Sequence, residues 1–277
     1  MSAPPRAAEG PANGTGIIYC NSGLAAAEAV ADFAVAMVVS TFRHLPWCIG
    51  AAVPPPTTAA PEAHRRFQSC HALATGASHN LRGHVLGLVG LGNIGQQIAA
   101  KLGCAAFGMR VHYYDVARKP PAVEAGLGAV HHGSLESLLA VSDCVVLCAP
   151  ASPDGKPLIT RATLAAAKKA GRFVNVARGS LVDEDALADA LEDGTLRSAA
   201  LDVHAAEPRV HPRLLALAGL DPPGGLPGRV MLTCHNAGGT VETHVGFEEL
   251  SMRNIMAVLQ GREAITPVNL RHLKTRE

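Results

Sequence analysis

Three ionisable residues each stand just past an apolar run: Arg178 in NVARGSLVDEDAL, Glu207 in ALDVHAAEP and His235 in LTCHNAGGT. In an open α/β sheet, ligands collect outside the carboxyl ends of the strands, so side chains at such positions can meet a substrate. An imidazole whose unperturbed pKa lies near neutrality can give a proton to a developing alkoxide and take it back in reverse. A carboxylate paired with it, as Glu207 would be with His235, favours the charged ring. The planar fork of Arg178 can hold a carboxylate or a carbonyl. Each residue also has a plainer reading. An arginine after a strand is more often a surface ion pair. Glu207 before Pro208 fits an ordinary loop, and His235 is one of 13 histidines. The adjacent His131 and His132 have no third ligand at metal-like spacing, so no metal is implied. Cys148, at the end of an apolar run, reads as a small core residue rather than a nucleophile.

The run GLVGLGNIG, residues 87–95, carries Gly90, Gly92 and Gly95 as GxGxxG. It follows an apolar run and opens a helical stretch from near Asn93, with Ile94, Ile98 and Leu102 on one face. Asp115 ends the next apolar run, 20 residues after Gly95. In that setting the pattern is a dinucleotide fingerprint. Gly90 allows the tight turn. Gly92 lets the backbone approach a pyrophosphate over the open N–H groups of the helix start, and Gly95 allows helix and strand to pack closely. Asp115 can accept hydrogen bonds from the adenosine ribose and repels a 2′-phosphate. NAD is therefore favoured over NADP, with Arg118 and Lys119 close enough to leave the exclusion of NADP open.

These residues need a frame. The runs 85–90, 110–114, 143–149, 172–176, 197–203 and 229–233 are apolar throughout rather than alternating, as strands buried on both faces of a parallel sheet are. Helices are expected to begin near Asn93, Ser134, Thr160 and Asp183. The last has Asp183 as N-cap, Glu184 and Asp185 in its first turn and Gly194 past its end. The alternation predicts an α/β fold with a doubly wound, mostly parallel, Rossmann-like sheet. Ahead of it, 16–19 (GIIY) suits a short strand. Residues 25–44 suit a helix with Val30, Phe33, Ala34, Met37, Val38 and Thr41 on one face, stopped by Pro46. Residues 50–80, with Pro54, Pro55, Pro56 and Pro61, read as a long loop or arm. Residues 208–228 read as a Pro/Gly-rich interruption, and a last helix is expected from Val241 to about Gln260. The domain organisation expected is a disordered stretch at 1–15, a nucleotide domain at 16–240 and a helix and tail at 241–277.

Composition narrows the classes. The chain has 277 residues, 48% hydrophobic and 17% charged, which supplies a sizeable core and excludes a disordered protein. Lys plus Arg is 24 against 23 Asp plus Glu, so no basic footprint for nucleic acid or an anionic membrane exists. Aromatics at 4% argue against base-stacking platforms. The seven cysteines form no CxxC pair, which fits reduced thiols in a cytoplasmic protein. The N-terminus shows no apolar signal core, and the most apolar stretch, 24–42, contains Glu28 and Asp32 and is a poor membrane span.

The ordered set GLVGLGNIG, Asp115, NVARGSLVDEDAL, ALDVHAAEP and LTCHNAGGT resembles the D-isomer-specific 2-hydroxyacid dehydrogenase family, over roughly Gly16 to Leu270. GIIYCN and AVADFAVAMVVSTFR resemble that family's entry into its nucleotide domain. The resemblance implies NAD(H)-dependent interconversion of 2-hydroxy and 2-keto acids, a small-molecule substrate, and a homodimer formed through the nucleotide domain. It implies catalytic roles for Arg178, Glu207 and His235, and a nicotinamide contact for Asp202. It implies a cofactor groove formed by Gly90, Gly92, Asn93, Ile94 and Gly95, by Asp115, by Cys148, Ala149 and Pro150, by Val176, Ala177 and Arg178, and by His235 and Gly238. The sequence departs from the family where His204 replaces a usual aromatic, Cys234 a proline, Asn236 an apolar residue and Gly155 a threonine. These touch the substrate side rather than the fingerprint. Relatives carry about a hundred residues ahead of the GIIYCN strand, forming most of a second domain. With 15 residues before Gly16, the expectation is one open α/β domain, with 241–277 as a remnant of the second and weak activity on small 2-keto acids. A non-redox NAD(H)-binding sensor or interaction protein, and a relative recruited to another reaction in a specialised biosynthetic pathway, stay open beside the oxidoreductase.

Overall fold

A computed structural model of the chain describes residues 17–152, 154–219 and 226–270; the disorder expected at 1–15 lies outside them. The chain divides into two compact units, one of residues 28–238 and one formed by its two ends, 1–27 and 239–277. Helices α1 (Ala27–Arg43), α2 (Leu45–Ala52) and α3 (Ala60–Ala77) come first. Strands and helices then alternate: β1 (Val85–Val89), α4 (Asn93–Gly103), β2 (Arg110–Tyr114), α5 (Pro121–Leu127), β3 (Val130–His131), α6 (Leu135–Val141), β4 (Cys144–Leu147) and α7 (Arg161–Leu164). The series continues with β5 (Gly171–Asn175), α8 (Glu184–Glu192), β6 (Leu196–Leu201), α9 (Pro212–Ala218), β7 (Val230–Leu232) and α10 (Val241–Leu259).

Among the described residues the strands form one sheet of seven, ordered β3-β2-β1-β4-β5-β6-β7, and every pairing is parallel. The winding direction reverses between β1 and β4, which opens a crevice at their carboxyl ends. Strands β1, β4 and β5 are buried at every residue, as their unbroken apolar runs imply. On one side of the sheet Leu138, Leu147, Phe173, Leu187, Leu191, Leu201 and Leu214 form one core. Each such side chain contributes about 2 kcal/mol by leaving water. Three of the four helix starts read from the sequence carry side-chain caps: Ser134 accepts from the Ser137 amide, Thr160 from Thr163 and Asp183 from Ala186.

Several expectations need correction. Pro46 does not stop α1. The break is at His44, in the left-handed region at φ 49°, and Pro46 sits in the first turn of α2, where a missing N–H is harmless. Residues 60–77 are a helix rather than part of an arm. The prolines at 54–56 occupy the link before it, and Pro61 lies in its first turn. Its buried face, Cys70, Ala74 and Ala77, follows helical spacing, and Cys70 and Ala74 pack on Trp47 and Ala51 of α2. The Pro/Gly-rich stretch likewise holds α9, with Pro212 in its first turn. Residues 17–19 form no strand. Cys20 makes an isolated bridge with Pro267, and its neighbours bond to the C-terminal segment, Asn21 N–H to Thr266 O at 3.1 Å and Val268 N–H to Tyr19 O at 2.8 Å. The sheet-bearing unit comprises residues 28–238.

The stretch 23–43 is long and apolar enough by composition to cross a membrane. Its Asp32 nevertheless pairs with Lys101 of α4 at 2.8 Å, while Ala31, Ala34, Met37, Val38 and Phe42 are fully buried. In the unit formed by the two ends, Thr240 caps α10, and Asn254 Oδ1 accepts from the Ile265 and Thr266 amides at 2.9 and 3.0 Å, fastening the segment that follows the helix.

Candidate active site

The glycine turn sits at the crevice. Gly90 has φ 97°, and a Cβ there would lie 3.0 Å from Ala149 Cα. A Cβ on Gly95 would lie 2.4 Å from Gly90 O, so both positions are closed to side chains by the fold itself. Gly92 differs: it has open space where its Cβ would stand. It is the N-cap of α4 and offers no side chain to the first-turn amides, which leaves Asn93 and Ile94 N–H available to an anion. Asp115 Oδ2 accepts the Leu91 amide at 2.8 Å, tying the end of β2 to the turn. Burial opposes ionisation of Asp115, but the Leu91 amide and Lys119 outweigh it, and its carboxyl lies below the usual range. These residues fit a dinucleotide: an open cradle over a helix start, with an ionised carboxylate at the end of the neighbouring strand. Cys148 lies under the turn, its thiol directed at Gly90 O at 3.1 Å, and burial pushes its pKa up to about 12. It is a protonated packing residue, as read from the sequence.

The catalytic candidates stand on the loops after β5, β6 and β7. Parallel pairing of β6 with β7, Leu201 opposite Leu232, aligns the two chain exits. His235 Nδ1 then lies 3.0 Å from Glu207 Oε2. A carboxylate only accepts, so Nδ1 carries the hydrogen and the Nε2 edge is left for a ligand. Burial opposes the charge on Glu207, but the bonds from His235 and from the His204 amide, 2.9 Å to Oε1, hold its carboxyl below the ordinary range.

His235 adopts φ 57°, a backbone state that a non-glycine residue keeps only when its surroundings fix it. Asp202 does the fixing. It is 1% exposed. Its carbonyl accepts the His235 amide at 2.7 Å, Oδ1 accepts Thr233 Oγ1 at 2.7 Å and the Asn236 amide at 3.0 Å, and Oδ2 accepts the Ala237 amide at 2.9 Å. The turn that presents His235 and ends at Gly238 is thus built on one buried carboxylate.

Arg178 is exposed at the N-cap of a single 3-10 turn, residues 179–181, and donates to Ala177 O at 2.6 Å. Asn175 secures this loop from both sides: its Oδ1 accepts the Ala177 amide at 3.0 Å and its Nδ2 donates to Arg178 O at 3.1 Å. The loop touches the one bearing Glu207, because a Cβ on Gly179 would lie 2.0 Å from His204 C. The buried Glu184 braces the same place by accepting the Ala205 amide at 2.9 Å. The structure joins His235, Glu207 and Asp202 directly and sets the Arg178 loop against them.

The profile of the D-isomer specific 2-hydroxyacid dehydrogenase NAD binding domain matches residues 58–237. The chain is 35% identical over 262 residues to the glyoxylate reductase of Thermococcus kodakarensis, covering 95% of this chain and 72% of that protein. The chain belongs to this family. By class it is an NAD-dependent dehydrogenase or reductase. The D-mandelate dehydrogenase of Rhodotorula graminis superposes with a TM-score of 0.81 at 38% identity, covering 91% of this chain and 68% of that one. An NADPH-dependent glyoxylate/hydroxypyruvate reductase of Sinorhizobium meliloti, solved with NADP and malonate, gives 0.70 at 30% identity over 95% and 73% of the two chains.

Within this 2-hydroxyacid dehydrogenase frame, His204 belongs to the support of the site. It is buried, its Nε2 lies 2.9 Å from Thr233 O, and so it clamps the Glu207 loop to the strand end leading to His235. Its main chain also anchors Glu207. The signal available was its position three residues before that glutamate. Glu184 and Gly179 also serve the site, and both lie in the same NVARGSLVDEDAL run as Arg178. Beside the pair, Pro208, Val210, Leu215, Leu232 and Cys234 help wall a cavity of about 580 Å³ that His235 and Glu207 also border. Gly155, where a family threonine is usual, has φ 70°, a conformation that favours glycine.

Proposed function

We propose that this chain reduces a 2-keto acid to the 2-hydroxy acid, and reverses that reaction, by NAD(H)-linked hydride transfer. The observation that carries this reading is the His235 Nδ1 to Glu207 Oε2 bond at 3.0 Å on loops where strand ends open to a ligand. When bound, the nicotinamide supplies or receives the hydride. The protein supplies the rest. In reduction, His235 gives a proton from Nε2 to the carbonyl oxygen as the carbonyl carbon gains hydride; in oxidation it takes the hydroxyl proton back. Glu207 holds the ring's orientation through Nδ1–H. Arg178 grips the substrate carboxylate with two N–H groups, and Asp202 keeps the His235 turn in register beside the place the nicotinamide would take. Gly92, Asn93 and Ile94 would seat the pyrophosphate, and Asp115 would accept from the ribose. The main chain at Cys148, Ala149, Pro150, Val176 and Ala177, with Gly238, lines the rest of the groove.

The cavity beside the pair has mostly apolar walls, so 2-keto acids with bulky apolar side chains are the expected better substrates. The protein works in the cytoplasm as a homodimer joined through the nucleotide unit. Exposed Ile49, Val53, Phe67 and Leu73 on and beside α2 and α3 support that contact. Light scattering of wild type and of Phe67→Glu checks the assembly: a wild-type monomer at micromolar concentration would overturn it. Steady-state reduction of phenylglyoxylate and glyoxylate with NADH, in wild type and in Arg178→Ala, checks the chemistry. Reduction that survives Arg178→Ala with an unaltered KM for the keto acid would remove Arg178 from the site.

A further inference from the structure

Asp115 is the residue whose charge would turn away a 2′-phosphate, but that charge is not presented alone. Lys119 Nζ lies 2.9 Å from Asp115 Oδ2, and the two side chains are 24% and 15% exposed. The same Oδ2 takes the Leu91 amide at 2.8 Å. Oδ1 meets only a distant main-chain partner in this turn, the Ala117 amide at 3.5 Å, and keeps capacity for a ribose hydroxyl.

The second nearby cation is committed elsewhere. Arg118 donates from Nε and Nη2 to the two Glu124 oxygens, each at 2.9 Å. Tyr113 Oη donates to Glu124 at 2.6 Å and accepts the Lys119 amide at 2.9 Å. The backbone of Lys119 is thereby pinned, while its ammonium stays on a four-carbon stem that can turn.

A carboxylate facing the ribose repels a phosphate carrying roughly −1.5 to −2 charges. A carboxylate–ammonium pair presents close to none, and the ammonium can rotate toward the phosphate when one arrives. We propose that Lys119 is a cofactor-specificity residue: by masking Asp115 it lets this chain accept NADP(H) as well as NAD(H), with only a shallow preference for NAD(H). This rests on reading the glycine turn as the dinucleotide site. Lys119 acts on the choice between the two cofactors and leaves the hydride chemistry to the residues already described.

The test is the binding of NADH and of NADPH to the whole chain, followed by cofactor fluorescence without any keto acid. The quantity read is the ratio of the NADPH Kd to the NADH Kd. In wild type the ratio is expected to stay within about tenfold. In Lys119→Ala, and in Lys119→Met, which keeps an apolar stem, it is expected to rise by about tenfold or more, the size expected for uncovering one partly solvated charge. In Asp115→Ala, which releases the ammonium, it is expected to fall below the wild-type value. A ratio unmoved in both Lys119 variants overturns the proposal while leaving the dinucleotide site standing. A wild type that rejects NADPH by several hundredfold overturns it too. A wild type that binds neither cofactor overturns the dinucleotide reading itself, and this proposal with it.

Discussion

Glu207 Oε2 and His235 Nδ1 meet at 3.0 Å although they are 28 residues apart in sequence. The contact follows from the parallel register of β6 and β7 and from the clamp of His204 on Thr233. Both oxygens of Glu207 are engaged, one by His235 and one by the His204 amide. In Glu207→Gln one of these donors must face an NH₂ group. Turnover is expected to fall by at least about tenfold, by the usual size of an acid–base contribution, with circular dichroism unchanged. Steady-state kinetics on the folded variant decide it, and wild-type turnover would show that Glu207 does not orient the imidazole.

The fingerprint glycines are expected to separate into two kinds. Gly95→Ala drives a Cβ against Gly90 O at 2.4 Å and should lower the unfolding midpoint in urea. Gly92→Ala meets nothing within 4 Å and has φ −76°, so it should unfold like wild type yet bind NADH at least about tenfold more weakly, because the added methyl occupies the pyrophosphate cradle. Equal NADH affinity in Gly92→Ala would place the pyrophosphate elsewhere.

Asp202→Ala removes the acceptor of two amides and one hydroxyl. The expected loss is about 3 kcal/mol of stability, given the size of hydrogen bonds to a charged group and of leaving a buried donor unpaired. The turn then releases His235 from φ 57°, and turnover falls with it. Denaturant unfolding read beside kinetics tests both at once; a variant as stable as wild type would mean that the turn is held by other contacts.

Acid should weaken the β2–α5 region in a defined direction. Hydrogen bonds from Arg118, and next from Tyr113, pull the Glu124 carboxyl from its ordinary 4.5 to about 2. The folded value lies below the unfolded one, so folding favours the ionised form. Its stabilisation is complete above about pH 4.5 and is lost as the pH falls toward 2. Thermal melts between pH 6 and pH 3 should show a shallower acid decline for Glu124→Gln than for wild type. Identical slopes would contradict the assignment.

The sheet was readable because its strands are buried on both faces and therefore apolar throughout, as VLGLV at 85–89 shows. The glycine turn was readable for a different reason: three backbone constraints fall on three glycines at fixed spacing. Residues 60–77 were misread because Pro61 signals a break by composition, while at a helix's first turn it signals a start. The two-residue strand β3 is too short to show a period at all. In the site, Arg178, Glu207 and His235 stood out by their place after strands. The support from Asp202, Glu184 and His204 depends on which backbone groups they reach, and only the folded backbone sets that. The pairing of Lys119 with Asp115 needed the loop after β2 as well, since four residues of separation alone do not fix a contact outside a helix.

The most direct measurement is NADH oxidation by the whole chain against glyoxylate, pyruvate and phenylglyoxylate, run beside His235→Ala with NADH affinity recorded for both proteins. The expected result is turnover of at least one of the three, fastest with phenylglyoxylate. In His235→Ala turnover should fall by about 100-fold or more while NADH still binds. Tight NADH binding without turnover of any of the three, or turnover that survives the loss of His235, would contradict a 2-keto acid reductase built on the His235–Glu207 pair.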